Sequence, residues 1–277
     1  MNRTTYYSRL RRSRGLSIGE LFPDVVDPLV AHDDGLLAPD PAVPVLLLLT
    51  EYRGQQVLWQ DPACTVPVEE IGDPIGGVRH PETGEILAVQ DTDADRPGWG
   101  GREVGAEFDG GSYMLPVDAR DTSLPMIWSG WTAYFDGVVA SGASNSAVIG
   151  ALNSGVSEGY DATLNSGGVD GDARIFRRSQ DSVSNSRYTD VHPVDVRVQA
   201  AFITRDDGEG HRFYQGDDVR ITGTGSASDV VDDWQYDPVI FGRNSRGTVD
   251  KILTGECRSL VLYDREISEQ TFEDIRP

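Results

Sequence analysis

The sequence predicts an all-β protein, its strands joined by tight turns into an antiparallel sandwich, and three observations carry that prediction. The 277 residues include 31 Gly and 15 Pro with many clusters of Ser and Asn, the composition of a chain that turns often. No long stretch shows helical periodicity. Runs rich in β-branched and aromatic residues recur, above all Ile127 to Val139 (IWSGWTAYFDGVV) and Val191 to Thr204, each read as a long strand. A chain of this length can bury one large core or two small ones.

Taken in order, residues 1–44 read as an N-terminal arm and linker. Arg3, Arg9, Arg11, Arg12 and Arg14 stand in the first fourteen residues with no acid among them. Ser17-Ile18-Gly19-Glu20 has the form of a capping box ahead of Leu21 and Phe22, but Pro23 and Pro28 limit any helix to a turn or two. Asp33 to Pro44 (DDGLLAPDPAVP) is extended rather than packed. The arm offers too little apolar area to fold by itself. Arg9, Arg11, Arg12, Arg14, Leu21 and Phe22 are therefore the residues expected to dock it on a neighbouring protein.

Residues 45–98 read as a small β-rich preface, its short strands broken at Asp61-Pro62, Gly72-Asp73-Pro74 and His80 to Gly84. Residues 99–277 read as the sandwich proper. Within it, Ser141 to Gly171 is rich in Gly, Ser and Asn, yet Val148, Ile149, Leu152, Tyr160 and Leu164 punctuate it as hairpin strands. The closing strand begins near Gly255. Cys257, Ser259, Val261 and Tyr263 lie on one face, and Arg258, Leu260, Leu262 and Asp264 on the other. A turn at Asp264-Arg265-Glu266 and a short helix capped by Ser268 should follow.

That ending, "LYDR" followed by Ile267, Ser268 and an acidic turn, resembles the closing signature of laminin-G-like, concanavalin A-like jelly rolls. Earlier pieces match in order: FDGGSYM (Phe108 to Met114), VQAAFITRDDGEGHRFYQGDDV (Val198 to Val219) and PVIFGRN (Pro238 to Asn244). The preface resembles a segment that precedes such domains in phage and archaeal-virus tail or virion surface proteins. Its matches are Trp59-Gln60-Asp61, Thr65-Val66-Pro67-Val68, Gly72-Asp73-Pro74-Ile75-Gly76, Leu87-Ala88-Val89-Gln90 and Arg96-Pro97, with Cys64 where the pattern commonly has Gly. The resemblance implies an antiparallel jelly-roll sandwich on a structural virion protein, a fibre, turret or decoration protein of a tailed haloarchaeal virus. Its arm would bind other virion proteins, its sandwich would face outward as a homo-oligomer, and a host-surface glycan is the implied partner. The alternatives are a glycan-binding adhesin with no virion role and a polysaccharide-cleaving enzyme.

Charge narrows the field. There are 45 acidic residues, 31 of them Asp, against 23 Arg and a single lysine, Lys251, for a net charge of −21. Such a surface does not suit nucleic acid, whose phosphates need clustered cations. Asp-rich, Lys-poor composition resembles that of haloarchaeal proteins, where concentrated salt screens the self-repulsion. No apolar run follows the first arginines, so no signal peptide is expected, and the chain is expected to be made in the host cytoplasm and to end in the virion. The most apolar window, Val45 to Leu49, falls far short of the ~20 residues that span a bilayer, so no membrane insertion is expected.

No catalytic set is apparent, and the expectation is a non-enzyme. Glu107-Phe108-Asp109 supplies two letters of a glycosidase E-x-D-x-x-E motif, but Gly110, Gly111 and Ser112 follow and the second carboxylate of the pair is missing. Asp109 then reads as a turn residue. Asp91-Thr92-Asp93-Ala94-Asp95 lacks the Gly and Glu of a calcium loop. Asp206-Asp207-Gly208-Glu209-Gly210 is a calcium prospect only by likeness to some laminin-G-like domains; otherwise it is a polar hairpin tip. His32, His80, His192 and His211 show no metal spacing, so no cofactor is expected. Cys64 and Cys257 allow one disulfide or two buried thiols. The remaining lead is aromatic: Trp99, Trp128, Trp131, Trp234 and Tyr236 are candidate faces for stacking on sugar rings.

Overall fold

The computed structural model describes residues 46–49, 51–52, 55–80, 83–117, 131–152, 159–178, 183–204, 211–216, 219–222, 239–245 and 247–263. The arm with Arg9, Arg11, Arg12, Arg14, Leu21 and Phe22 lies outside the described residues, as do Trp128, Trp234, Tyr236, Asp206 to Gly210 and everything after Tyr263.

The first strands are short: β1 (Leu46–Leu49), β2 (Glu51–Tyr52), β3 (Gln55–Gln56), β4 (Leu58–Trp59), β5 (Gly77–Arg79), β6 (Ile86–Val89) and β7 (Gly98–Trp99). Then come β8 (Ala106–Asp109), β9 (Leu115–Pro116) and the longer β10 (Trp131–Val139), β11 (Ser146–Leu152), β12 (Gly159–Leu164) and β13 (Ala173–Arg178). They continue with β14 (Val183–Tyr188), β15 (Arg197–Thr204), β16 (His211–Gln215) and β17 (Val219–Thr222). The last are β18 (Val239–Ile240), β19 (Arg243–Ser245), β20 (Thr248–Asp250) and β21 (Thr254–Tyr263).

Two large sheets face each other. One has eight strands in the order β17-β16-β15-β10-β21-β8-β7, with β1 also paired to β21. The other has seven, β14-β13-β12-β11-β19-β20, with β18 also on β11. Pairing is antiparallel except between β11 and β19. The closing strand is the spine of the first sheet: β10 runs along one side of it, while β8 and β1 share the other in succession. Both faces of β21 are covered, since Ser259 to Tyr263 are all buried. Where β10 crosses Cys257 the register slips at Gly137, and a Cβ there would stand 2.1 Å from the Glu256 carbonyl oxygen. Only glycine fits that bulge.

Between the sheets, Trp131 meets Tyr160 edge-on at 5.9 Å, Phe202 meets Phe213 at 5.2 Å, and Phe213 stacks on Tyr188 at 5.5 Å. These aromatic pairs fix which face of each strand is interior. The expected hairpins between Ser141 and Gly171 are β11 and β12, and the expected strand of Ile127 to Val139 is β10 over its described part. The other long strand is shorter than read: it begins at Arg197 rather than Val191.

The expected boundary at residue 98 does not hold. Leu115–Pro116 completes a small four-stranded sheet, β4-β5-β6-β9, while β1 and β7 join the eight-stranded one. Val57, Leu58, Ile75, Val78 and Ala88 lie in the same buried cluster as the sandwich. The residues that carry the tail-protein resemblance are turn builders. The Asp61 carboxylate accepts the Thr65 N–H (2.9 Å), the Thr65 hydroxyl (2.9 Å) and the Val66 N–H (2.7 Å). Asp73 accepts the Glu69 and Glu70 N–H groups, each at 2.9 Å, and the Gln60 side chain at 3.1 Å. Cys64, the departure from the pattern, has φ of 53°, the left-handed region that the usual glycine would enter without strain. Its thiol is buried and free, as is that of Cys257, and burial pushes Cys64 up to about 11.

Candidate functional site

Strand alternation puts Tyr160, Ala162 and Leu164 of β12 toward the core and Asp161 and Thr163 on the outer face of the seven-stranded sheet. An aspartate in mid-strand needs partners, and Asp161 has them on every side. Its carboxylate accepts the Thr163 hydroxyl (2.9 Å), Arg174 Nη2 (2.6 Å) and Nε (3.0 Å), Lys251 Nζ (3.0 Å) and Arg243 Nη1 (3.4 Å). Arg243 also makes a two-point pair with Asp250, at 2.8 and 2.6 Å. Three cations thus gather over two carboxylates, on a chain that is otherwise strongly acidic.

Asp161 is fully buried, while the side chains of Arg174, Arg243 and Lys251 are 21%, 15% and 12% exposed. Burial alone would raise the Asp161 carboxyl, but the charges of Arg174 and Lys251 outweigh it and hold the group below the usual carboxylate range. Burial lowers the Lys251 ammonium, and Arg174 and Arg243 push it the same way against the pull of Asp161. Gly150, opposite Asp161 on β11, makes room for this: a Cβ there would stand 3.0 Å from both the Arg243 Cγ and the Asp161 Cβ. Next to the cluster the face carries Phe176, whose ring centroid lies 5.5 Å from the Arg174 guanidinium, and Arg187, the cross-strand partner of Arg174. The result is a mostly buried cation cluster that opens to solvent chiefly at Arg187, 47% exposed, with an aromatic ring beside it.

Three loops form the rim at the near end of this face: residues 140–145, 165–172 and 189–196. Asn165, at φ of 50°, is their hub. Its side chain donates to the Ala140 carbonyl (3.0 Å) and to Asp170 (3.3 Å) and accepts the Gly171 N–H (3.1 Å). Asp170 accepts the Gly142 N–H (2.9 Å), and Asp195 accepts the Ser141 N–H (2.8 Å). Asp172 holds Arg187 through Nη2 (2.7 Å) and Nε (3.1 Å), which ties the rim to the cation row.

Two of the aromatic assignments need correction against this geometry. Trp131 is fully enclosed between the sheets, and Trp99 is buried on β7, so neither offers a ring face to a ligand. The aromatic that the outer face presents is Phe176. Asp109 is a turn residue as read, accepting the Gly111 N–H (2.8 Å) and the Ser112 hydroxyl (2.8 Å), which hold its carboxyl below the usual range. The Asp91 to Asp95 stretch is a solvent-facing turn in which Asp93 pairs with Arg96 at 2.7 Å. Among the described residues no three or more His, Cys, Asp or Glu side chains are placed to hold a metal. The cluster at Asp161 was missed, although two signals stood in the sequence: Lys251 is the only lysine, and the alternation of ARIFRR puts Arg174 and Phe176 on one face of a strand.

No family model matches the chain, and no curated protein sequence matches it. Solved structures do. The chain is similar to the CBM40 domain of the Ruminococcus gnavus IT-sialidase bound to α2,3-sialyllactose, with a TM-score of 0.51 at 12% identity over 61% of this chain and 92% of that one. The same Ruminococcus gnavus domain without that ligand gives a TM-score of 0.50 at 12% identity, over 61% and 93% of the two chains. At that identity the likeness is one of fold, a concanavalin A-like antiparallel β-sandwich.

Proposed function

We propose that this sandwich is a carbohydrate-recognition domain that takes an acidic sugar on the outer face of its seven-stranded sheet, by binding and without turnover. The observation that carries the reading is the cation set on Asp161. One buried carboxylate orients Arg174, Arg243 and Lys251, and their remaining N–H groups are pre-aimed at little entropic cost. A guanidinium fork suits a sugar carboxylate, and Phe176 beside it suits the apolar face of a ring. The Ruminococcus gnavus domain of the same fold is bound to α2,3-sialyllactose in its structure, which makes that trisaccharide the first probe to use. Calorimetric titration of the full chain should show binding of sialyllactose and none of lactose. Arg174→Ala should weaken it at least about tenfold, the worth of one charge-assisted hydrogen bond. Equal affinity for lactose, or an Arg174→Ala variant that binds as before, would count against the acidic-sugar reading.

A second reading places this domain on the outside of a virion, held there by its arm and projected for host attachment. It is supported by the preface motifs, by five arginines in the first fourteen residues and by the Asp-rich, Lys-poor composition of a halophile protein. In that setting the arm folds only against acidic patches of a neighbour. Deleting residues 1–22 should leave the melting temperature of the body nearly unchanged while abolishing oligomerisation or incorporation into particles. Assembly that proceeds without those residues would remove the anchoring role.

A further inference from the structure

His192 stands between a donor and an acceptor that it cannot serve at once. The ring is buried at the rim, and its Nδ1 lies 2.8 Å from the Pro193 carbonyl oxygen. A carbonyl takes only a donor, and this contact is the shortest the ring makes. The Asp172 carbonyl near the other nitrogen already accepts the Ser166 N–H at 3.0 Å, so the neutral tautomer that fits best keeps its proton on Nδ1, as the charged ring does. The other nitrogen, Nε2, lies 3.4 Å from the backbone nitrogen of Asn165 and 3.3 Å from the carbonyl oxygen of Asp172. In the neutral ring Nε2 is an acceptor: it takes the Asn165 N–H, and the Asp172 carbonyl faces a lone pair. Protonation reverses the pair, since Nε2 then donates to Asp172 and turns a second N–H against that of Asn165.

Both partners matter beyond their own bonds. Asn165 joins the three rim loops through Ala140, Asp170 and Gly171, and its carbonyl takes the Asn145 N–H at 3.0 Å. Asp172 grips Arg187, which lies across the strand from Arg174. We propose that His192 is an acid-operated latch on the three-loop rim and, through Asp172, on the Arg187 end of the cation row. Neutral, it closes the rim onto Asn165; charged, it releases Asn165, and the loops that frame the sheet's outer face loosen. The step toward the ligand rests on the acidic-sugar reading, whereas the latch itself does not.

The charged groups around the ring come from each element packed on it. Asp170 and Asp172 belong to the 165–172 loop, Asp190 and Asp195 to its own segment, and Arg187 to β14; residues 140–145 bring none. Burial pulls the ring below its usual value, against the contacts with Pro193 and Asp172 and the charges of Asp172 and Asp170. The closed, neutral state therefore holds at neutral pH and yields only in acid.

Nuclear magnetic resonance of the full chain, followed from about pH 7.5 to about pH 4.5, tests this directly. The amide signals of Asn165 and Gly171 should titrate with the same midpoint as the His192 ring carbon, below 6.5. His192→Asn keeps a donor for the Pro193 carbonyl but cannot take a charge, and it should flatten both amide curves. Sialyllactose affinity should fall about tenfold across the transition in the natural chain and not in the variant. Amides that follow carboxylate midpoints instead, or that titrate unchanged in His192→Asn, would overturn the latch. If the variant does not fold, the midpoints in the natural chain still decide. Sialyllactose that binds at no pH would sink the acidic-sugar reading and leave the latch to be judged on the amides.

Discussion

Replacing Asp161 with Asn should cost about 3–5 kcal/mol of folding stability, the range for breaking a buried ion pair by removing one partner. The magnitude follows from where the charge sits. Asp161 is fully buried, and Arg174, Arg243 and Lys251 are all mostly so, which leaves little water to replace the lost carboxylate. Arg187–Asp172 and Arg197–Asp136 pair buried carboxylates with arginines that are 47% and 42% exposed, so water can take over part of the lost contact and breaking either should cost less than the Asp161 change. The Asp161 carboxyl is held below its ordinary value of 3.8. Its contribution is therefore fully present above that value and is lost as pH falls through the depressed one, where the folded chain must take up a proton. Asp161→Asn should remove that part of the acid limb from a stability–pH curve. Adding Lys251→Met to the variant should restore part of the loss, because one uncompensated cation leaves with it. Urea unfolding at neutral pH measures all three chains. A loss under about 1 kcal/mol for Asp161→Asn would mean that solvent reaches the cluster freely.

What the sequence shows and what it hides divide along the distance between residues. The closing strand, β10 and the hairpin strands of 141–171 were legible because alternation, β-branching and turn residues are local signals. Val191 to Val196 misled for the same reason: its spaced valines imitate a strand. Pro193 and the left-handed residues Asp190 and Asp195 (φ 52° and 57°) instead bend it into the rim. The preface was legible as motifs but not as a unit, since β9 lies beyond its motifs and β1 leaves it for β21. The candidate site is the least legible part. Asp161 and Lys251 are 90 residues apart in the chain, and their meeting depends on β11 lying between β12 and β19. Gly150 reads as a weak spot in a strand until Arg243 is seen to cross it.

The aromatic residues give the other large effect. Trp131→Ala should cost about 3–5 kcal/mol, because it opens a cavity between the sheets where Trp131 is fully buried against Tyr160. Phe176→Ala, on the half-exposed outer face, should cost about 1 kcal/mol. The two should trade places in ligand binding: Phe176→Ala loses sialyllactose with a drop in melting temperature of only about 2–4 °C, and Trp131→Ala loses affinity only as far as it unfolds. Trp131→Phe separates packing from polarity. The indole N–H has no hydrogen-bond partner among the described residues, so removing it relieves a buried donor worth about 1–3 kcal/mol while a ring still fills most of the space. That variant should therefore fall well short of the alanine loss and sit within about 1.5 kcal/mol of the natural chain. Thermal melts of the three variants beside calorimetric titrations give both axes at once. Should Trp131→Phe abolish binding in a chain that melts normally, the ligand would have to reach the interior between the sheets, and the outer-face assignment would fail.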